Sequence, residues 1–147
     1  MTKGLMENAR ARFDYEILET LEAGIALSGH EAKSVRMGRA NMAGSHALVR
    51  DGEAFVVGLD IPPFQPGNAP EGYDAGRTRK LLLSKREIAR IAGRLHEGLT
   101  LVPLKLYSTK RFLKLELGVA RGKKKYDKRE TIRKRETERE IRRKIQS

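Results

Sequence analysis

Arg121, Lys123, Lys124, Lys125, Lys128 and Arg129 crowd into a segment of nine residues whose single aromatic is Tyr126 and whose single acid is Asp127. Lysines at that density make salt-sensitive phosphate contacts. Arginines fork onto phosphate or stack on bases, and a tyrosine ring offers a face to a base. A solvated basic tail, or one resting on acidic lipid, is the plainer alternative, but a polyanion makes better use of such a density. Composition does not separate RNA from DNA. A second cluster, Arg77-Thr78-Arg79-Lys80, stands just before Leu81-Leu82-Leu83, which reads as the buried part of a short helix or turn. Here an ordinary charged helix start weighs as much as a phosphate site. Asn8, Arg10 and Arg12 form a third polar and basic stretch. Three such sites on a small barrel would make one extended phosphate-binding surface, the usual logic of an oligonucleotide-binding (OB) fold.

The elements that must hold these residues are short. Phe13 to Leu18 and Gly24 to Leu27 read as strands on either side of the acidic Glu19-Thr20-Leu21-Glu22. Residues 31 to 39 suit a two-turn helix with Lys33, Arg36 and Arg39 on one side, ended by Gly38 and Asn41. Ala47 to Val49 and Ala54 to Leu59 flank Arg50-Asp51-Gly52-Glu53, whose central Asp-Gly fits a type I′ hairpin turn. Four of the five prolines fall between Ile61 and Gly76, so that stretch is a long connection, either functional or simply a crossover around the barrel. Ser84 and Glu87 have capping-box spacing at the head of a helix reaching Leu95. Leu99 to Tyr107 and Phe112 to Val119 form a last strand pair, the alternation of Leu113, Leu115 and Leu117 with Lys114 and Glu116 marking a half-exposed strand. The expected fold is mainly β with flanking helices (α+β): an OB-like antiparallel barrel with two to three helices and a basic C-terminal tail.

The charge divides in the same way. The chain has 147 residues and a formal net charge of +12, of which residues 121–147 carry +8 through 13 Lys/Arg and 5 Asp/Glu. Two units are expected: a barrel over 1–120 and a tail over 121–147, disordered when free and helical on a polyanion. The tail has too few large apolar residues to fold alone, while pairs such as Glu130 with Lys134 support a helix. There is no cysteine, which excludes thiol redox chemistry, and His30, His46 and His96 are too scattered to suggest a metal site. No serine elbow, P-loop or paired acid and base is visible, so no catalysis, cofactor or metal is expected. The absence of a signal-like or membrane-spanning apolar run points to the cytoplasm.

Ten ordered strings carry a resemblance: Asn8-Ala-Arg-Ala-Arg12, Leu21-Glu-Ala-Gly24, Gly29-His-Glu-Ala-Lys-Ser34, Gly38-Arg-Ala-Asn41, Asp51-Gly-Glu-Ala-Phe55, Arg77-Thr-Arg-Lys-Leu-Leu-Leu83, Lys85-Arg-Glu87, Leu101-Val-Pro-Leu104, Gly118-Val-Ala-Arg-Gly-Lys-Lys124 and Asp127-Lys-Arg129. Together they resemble the SsrA-binding protein (SmpB) family from Asn8 to the C-terminus. The resemblance implies a monomeric barrel that binds the tRNA-like domain of transfer-messenger RNA and carries it to stalled ribosomes. The partners are RNA and ribosome, not DNA or membrane. The body would stand in for an anticodon arm, and the tail would enter the decoding centre and empty mRNA channel. It further implies that Glu22, Leu82 and Lys114 matter for RNA binding. Asn8, Arg10, Arg12, Lys33, Arg36, Asn41, Arg77, Arg79 and Lys80 join them as candidate contacts, while Lys123, Lys124, Tyr126, Asp127, Lys128 and Arg129 would face the ribosome. Phe13, His30, Tyr126 and Thr137 depart from the residues usual in the family. A ribosomal or ribosome-assembly protein using the same clusters on rRNA is the alternative.

Overall fold

The computed structural model describes residues 3–122, apart from Pro66, Asn68, Lys110 and the side chains of Lys3 and Leu5. The elements run β1 (Lys3–Glu7), α1 (Ala9–Asp14), β2 (Tyr15–Ile25), α2 (Gly29–Arg36), β3 (His46–Arg50), β4 (Glu53–Val57), β5 (Arg79–Leu82), α3 (Lys85–His96), β6 (Thr100–Ser108) and β7 (Leu113–Gly122). All strand pairs are antiparallel, in the order β1-β6-β3-β4-β5-β2-β7, and a further β6–β7 pairing closes the sheet into a ring with β1 outside it. The ring is uneven. β2 and β7 pair almost end to end, whereas β3 meets β6 only at Ala47 and Leu101, and β2 meets β5 only through Gly24 and Ile25.

The hairpin forms where Asp-Gly requires it: Asp51 and Gly52 take φ values of 52° and 75°, the left-handed pair of a type I′ turn between β3 and β4. Both sides of the Ser84–Glu87 capping box are made, and α3 follows with Ile91 buried and Ile88 and Leu95 packed on the main core. The core is filled by Val35 of α2 and by inward residues of the barrel such as Val56, Leu81, Leu101, Leu106, Leu115 and Leu117. A smaller cluster of Ala11, Val102, Leu104 and Ala120 seats α1. It fits so closely beside Gly118 that a Cβ there would come within 2.9 Å of Leu104.

Three expectations are corrected. Phe13 to Leu27 is not a strand pair around an acidic turn: β2 runs unbroken from Tyr15 to Ile25, with a bulge between Ile17 and Glu19. The acids do not break it because each has cationic company, Glu19 with Arg90 and Arg94 of α3 at 2.8 and 3.3 Å, and Glu22 with Lys114 of the neighbouring strand. The run Arg79 to Leu82 is strand β5 rather than a helix or turn, and its alternation buries Arg79 and Leu81 while exposing Lys80 and Leu82. β1 and α1, absent from the sequence reading, are added at the N-terminus, and β7 continues through Gly122 into the segment expected to be tail.

Candidate nucleic-acid interface

Register places one outward row of residues across four strands. Tyr107 of β6 pairs with Lys114 of β7, Lys114 pairs with Gly24 of β2, and Gly24 pairs with Leu82 of β5. Because Gly24 has no side chain, the row has a gap between a lysine and an exposed leucine. A Cβ at Gly24 would sit 3.1 Å from that of Leu82, so only glycine leaves both the gap and the leucine's position intact. The resulting groove, about 310 Å³, is walled by Ala32 and Arg36 of α2 on one side and by Arg111, Phe112 and Lys114 on the other. Ala32 and Arg36 share a helix face because they are four residues apart.

The groove combines cations with exposed apolar surface. Phe112 and Leu82 are 63% and 55% exposed, unusual for side chains of their size. The Lys114 ammonium lies 5.8 Å from the centre of the Phe112 ring and 3.8 Å from a carboxylate oxygen of Glu22, two residues along β2 from Gly24. Tyr107 donates its hydroxyl hydrogen to the other oxygen of Glu22. Burial, then the neighbouring carboxylate, push the Tyr107 phenol well above its ordinary range, so it remains a donor. Positive charge and a flat ring in one open groove, with an oriented carboxylate beside its lysine, are the means by which proteins hold unstacked nucleotides.

Arg36, Leu82 and Lys114 are thus brought into one groove from three separate stretches of sequence, and Glu22 is set against Lys114 from a fourth. The other candidates are spread more widely. Asn8 is buried and caps α1: its side-chain oxygen accepts from Ala11 N (3.2 Å) while its amide donates to Pro103 O (2.9 Å) and Met42 O (3.3 Å). Arg10 and Arg12 lie on the exposed side of α1, Arg10 paired with Asp14 at 3.0 Å and Arg12 near Glu116 at 3.9 Å. Asn41 forms a lone antiparallel bridge with Asp60, and its side-chain oxygen accepts from Ala43 N at 2.9 Å. Lys33 and Arg39 sit over the Phe64 ring at 5.9 and 5.7 Å, extending basic surface from Arg36 along α2. Lys80 pairs with Glu53 at 3.0 Å on the outside of the barrel. Lys123, Lys124, Tyr126, Asp127, Lys128 and Arg129 lie outside the described residues.

Arg79 is internal, which corrects its reading as part of a surface cluster. It is 0% exposed, and its guanidinium donates to Glu31 Oε2 from Nε (2.9 Å) and Nη2 (2.7 Å), to Leu59 O (2.6 Å) and to Ala75 O (2.9 Å). Glu31, equally buried, also accepts from Arg77, from Tyr73 Oη (3.2 Å) and from Ser28 N (2.9 Å). Burial alone would raise the Glu31 pKa, but the Arg77, Ser28 and Arg79 contacts together hold it down at about 2. This cluster joins α2, the proline-containing connection and β5. With Ser34 Oγ donating to Pro62 O (2.6 Å) and Tyr73 to Ile61 O (2.7 Å), it makes that connection a strapped crossover. Arg77 keeps a side chain 40% exposed and reaches the surface.

Sequence reasoning passed over Gly24, Tyr107, Arg111, Phe112 and Glu31. An aromatic directly after a basic turn was the one available signal for Phe112. Gly24 and Tyr107 are set by cross-strand register and Glu31 by ion pairs with Arg77 and Arg79, so each depends on distant partners, as for Tyr107 and Glu22, 85 residues apart.

Fold and groove define a small closed barrel of the OB-like class carrying a cationic and aromatic face. Comparison with known proteins narrows this. The family profile described as SmpB protein matches residues 5–147. The SsrA-binding protein of Gloeobacter violaceus is 54% identical over 142 residues, covering 96% of this chain and 93% of the relative. That of Geobacillus thermodenitrificans is 52% identical over 142 residues, covering 96% and 91%. A chain solved in a structure described as "tmRNA-SmpB: a journey to the center of the bacterial ribosome" superposes with a TM-score of 0.69 at 47% identity, covering 87% of this chain and 94% of the other. The chain belongs to the SmpB family.

Proposed function

We propose that this chain binds the tRNA-like domain of transfer-messenger RNA and delivers it to stalled ribosomes for trans-translation, as a non-enzymatic RNA-binding factor of the cytoplasm. The observation that carries this reading is the convergence of Arg36, Leu82 and Lys114, from three separate elements, on one groove floored by Gly24, with Glu22 3.8 Å from the Lys114 ammonium. The names of its relatives, SsrA-binding protein and a tmRNA–SmpB complex, give the RNA its identity. The barrel does the gripping and stands in for an anticodon arm. Arg10 and Arg12 on α1, and Lys33 on α2, add cationic surface away from the groove. The basic segment with Lys123, Lys124, Tyr126, Asp127, Lys128 and Arg129 is assigned to the decoding centre and mRNA channel, where it becomes helical. Among the described residues no helix is long and apolar enough to cross a membrane, and no group of three or more His, Cys, Asp or Glu could hold a metal ion.

The test is binding of the full chain, of the same chain with Lys114→Ala, and of a truncation after Gly122 to the tRNA-like domain, with ordinary tRNA as competitor and across a salt series. Every phosphate that a variant no longer neutralises lowers the log–log salt slope by roughly 0.7 to 0.9. Selective binding that survives truncation and weakens with Lys114→Ala is expected. Binding that vanishes with the tail, or that ordinary tRNA displaces equally well, would overturn the reading in favour of a general rRNA-binding protein.

A further inference from the structure

A carboxylate is an odd tenant of a phosphate-binding face. Glu22 is half exposed beside Lys114, a residue of the cationic groove that also holds Arg111 and Phe112, and it would repel any phosphate brought close to it. Its useful partners on RNA are therefore hydrogen-bond donors, which only bases and ribose hydroxyls supply. Guanine presents two parallel donors, N1–H and the N2 amine, on one edge, and a carboxylate presents two parallel acceptors. The match is the same fork that arginine makes with a carboxylate.

The carboxylate is also held from behind. Tyr107, on the second strand over, is buried and donates to one Glu22 oxygen, while Lys114 approaches the other at 3.8 Å. Each carboxylate oxygen has two lone pairs, so both partners can be satisfied with an outward pair left for a ligand. The phenol's raised pKa keeps its proton in place at any pH the protein meets, and a fixed donor leaves the carboxylate few orientations to lose on binding. The Phe112 ring lies 5.8 Å from the same Lys114 ammonium and is exposed, so the face of an unstacked base can rest on it.

We propose that Glu22 reads the donor edge of one unpaired guanine in the bound RNA, and that Tyr107 is the positioning residue that orients Glu22 to do so. This rests on the RNA-binding reading above and adds to it a base identity and a residue absent from the sequence-level candidates. Tyr107→Phe removes one oxygen from a buried ring and leaves the packing of β6 on β7 intact.

The experiment measures the full chain, Tyr107→Phe, Glu22→Gln and the double variant against tRNA-like-domain transcripts in which each unpaired guanine is replaced in turn by inosine, which lacks the N2 amine. Thermal unfolding is followed alongside. At one position the natural chain should lose about tenfold in affinity on the inosine change, the size expected of one good paired hydrogen bond. Glu22→Gln should abolish that discrimination, Tyr107→Phe should remove most of it, and the double variant should be no worse than Glu22→Gln alone. Discrimination unchanged in Tyr107→Phe, or no position sensitive to inosine in the natural chain, would overturn the proposal while leaving RNA binding standing. Failure of the natural chain to bind the tRNA-like domain at all would overturn the function and this proposal with it.

Discussion

Two glutamate–cation groupings stand about nine residues apart in sequence and do opposite work. Around Glu31 the polar groups close on one another: Arg79, a tyrosine, a serine amide and backbone carbonyls meet inside, Arg77 covers them from the surface, and neither Glu31 nor Arg79 touches solvent. Around Glu22 the same ingredients, a carboxylate, a cation and a tyrosine, are left half open beside an exposed ring and an exposed leucine. The closed grouping fastens α2 and the crossover to β5, and so fixes two walls of the groove. The open grouping is what the groove presents to a ligand. Enclosure, not residue type, separates architecture from recognition, because a charge with every hydrogen bond satisfied has nothing left to offer a partner.

The sharpest way to break the contrast is to remove one member of the closed group. Arg79→Met strands a buried carboxylate with part of its partners, and should cost about 3–5 kcal/mol of stability in urea unfolding. The double change Arg79→Met with Glu31→Leu should recover much of that, since the expense lies in the unpaired charge. A single-variant effect below about 1 kcal/mol would show that Glu31 is not confined as described.

Next in size is the acid response. The folded-state pKa of Glu31 lies at about 2, below its ordinary 4.5, so the carboxylate contributes stability that is complete above about pH 4.5. That contribution, on the order of 3 kcal/mol, is lost as the pH falls toward 2. Urea midpoints of the natural chain and of Glu31→Gln should differ most near neutrality and converge as the pH approaches 2. Parallel curves would remove the argument.

The smallest stability effects belong to the open group. Lys114→Ala should change unfolding free energy by less than about 1 kcal/mol, the usual limit for a partly exposed pair, and Lys80→Ala by less than about 0.5 kcal/mol. Lys114→Ala should nevertheless weaken RNA binding more than Arg12→Ala, whose side chain lies at 59% exposure beside Glu116 rather than in the groove. Equal weakening by both would mean that the face binds by bulk charge alone.

How much of this the sequence carried depends on the range of the interactions concerned. Local signals served well: Asp51-Gly52 for the hairpin, Ser84 with Glu87 for α3, and the alternation around Lys114 for β7 are all decided within a few residues. Nonlocal ones did not. Nothing near Glu19 announces that Arg90 and Arg94 will make it tolerable inside a continuous strand, and nothing near Leu82 says that Gly24 will leave it exposed. Arg79 is the clearest case. A basic run reads as surface until the one carboxylate able to bury it, 48 positions earlier, is folded against it. The family resemblance supplied Glu22, Leu82 and Lys114 as a set, but only register shows that Leu82 and Lys114 share a groove with Phe112 and that Tyr107 and Lys114 hold Glu22.

β7 is hydrogen-bonded to β2 on one side and to β6 on the other, and its pairing with β2 joins residues as far apart as Tyr15 and Gly122, 107 positions along the chain. During synthesis, then, the barrel stays unsealed until almost the whole body has been made, and its last closure has the entropic expense of a very large loop. A nascent fragment ending before Leu113 would carry two long strands with bare edges, the kind of surface on which chains aggregate and proteases start.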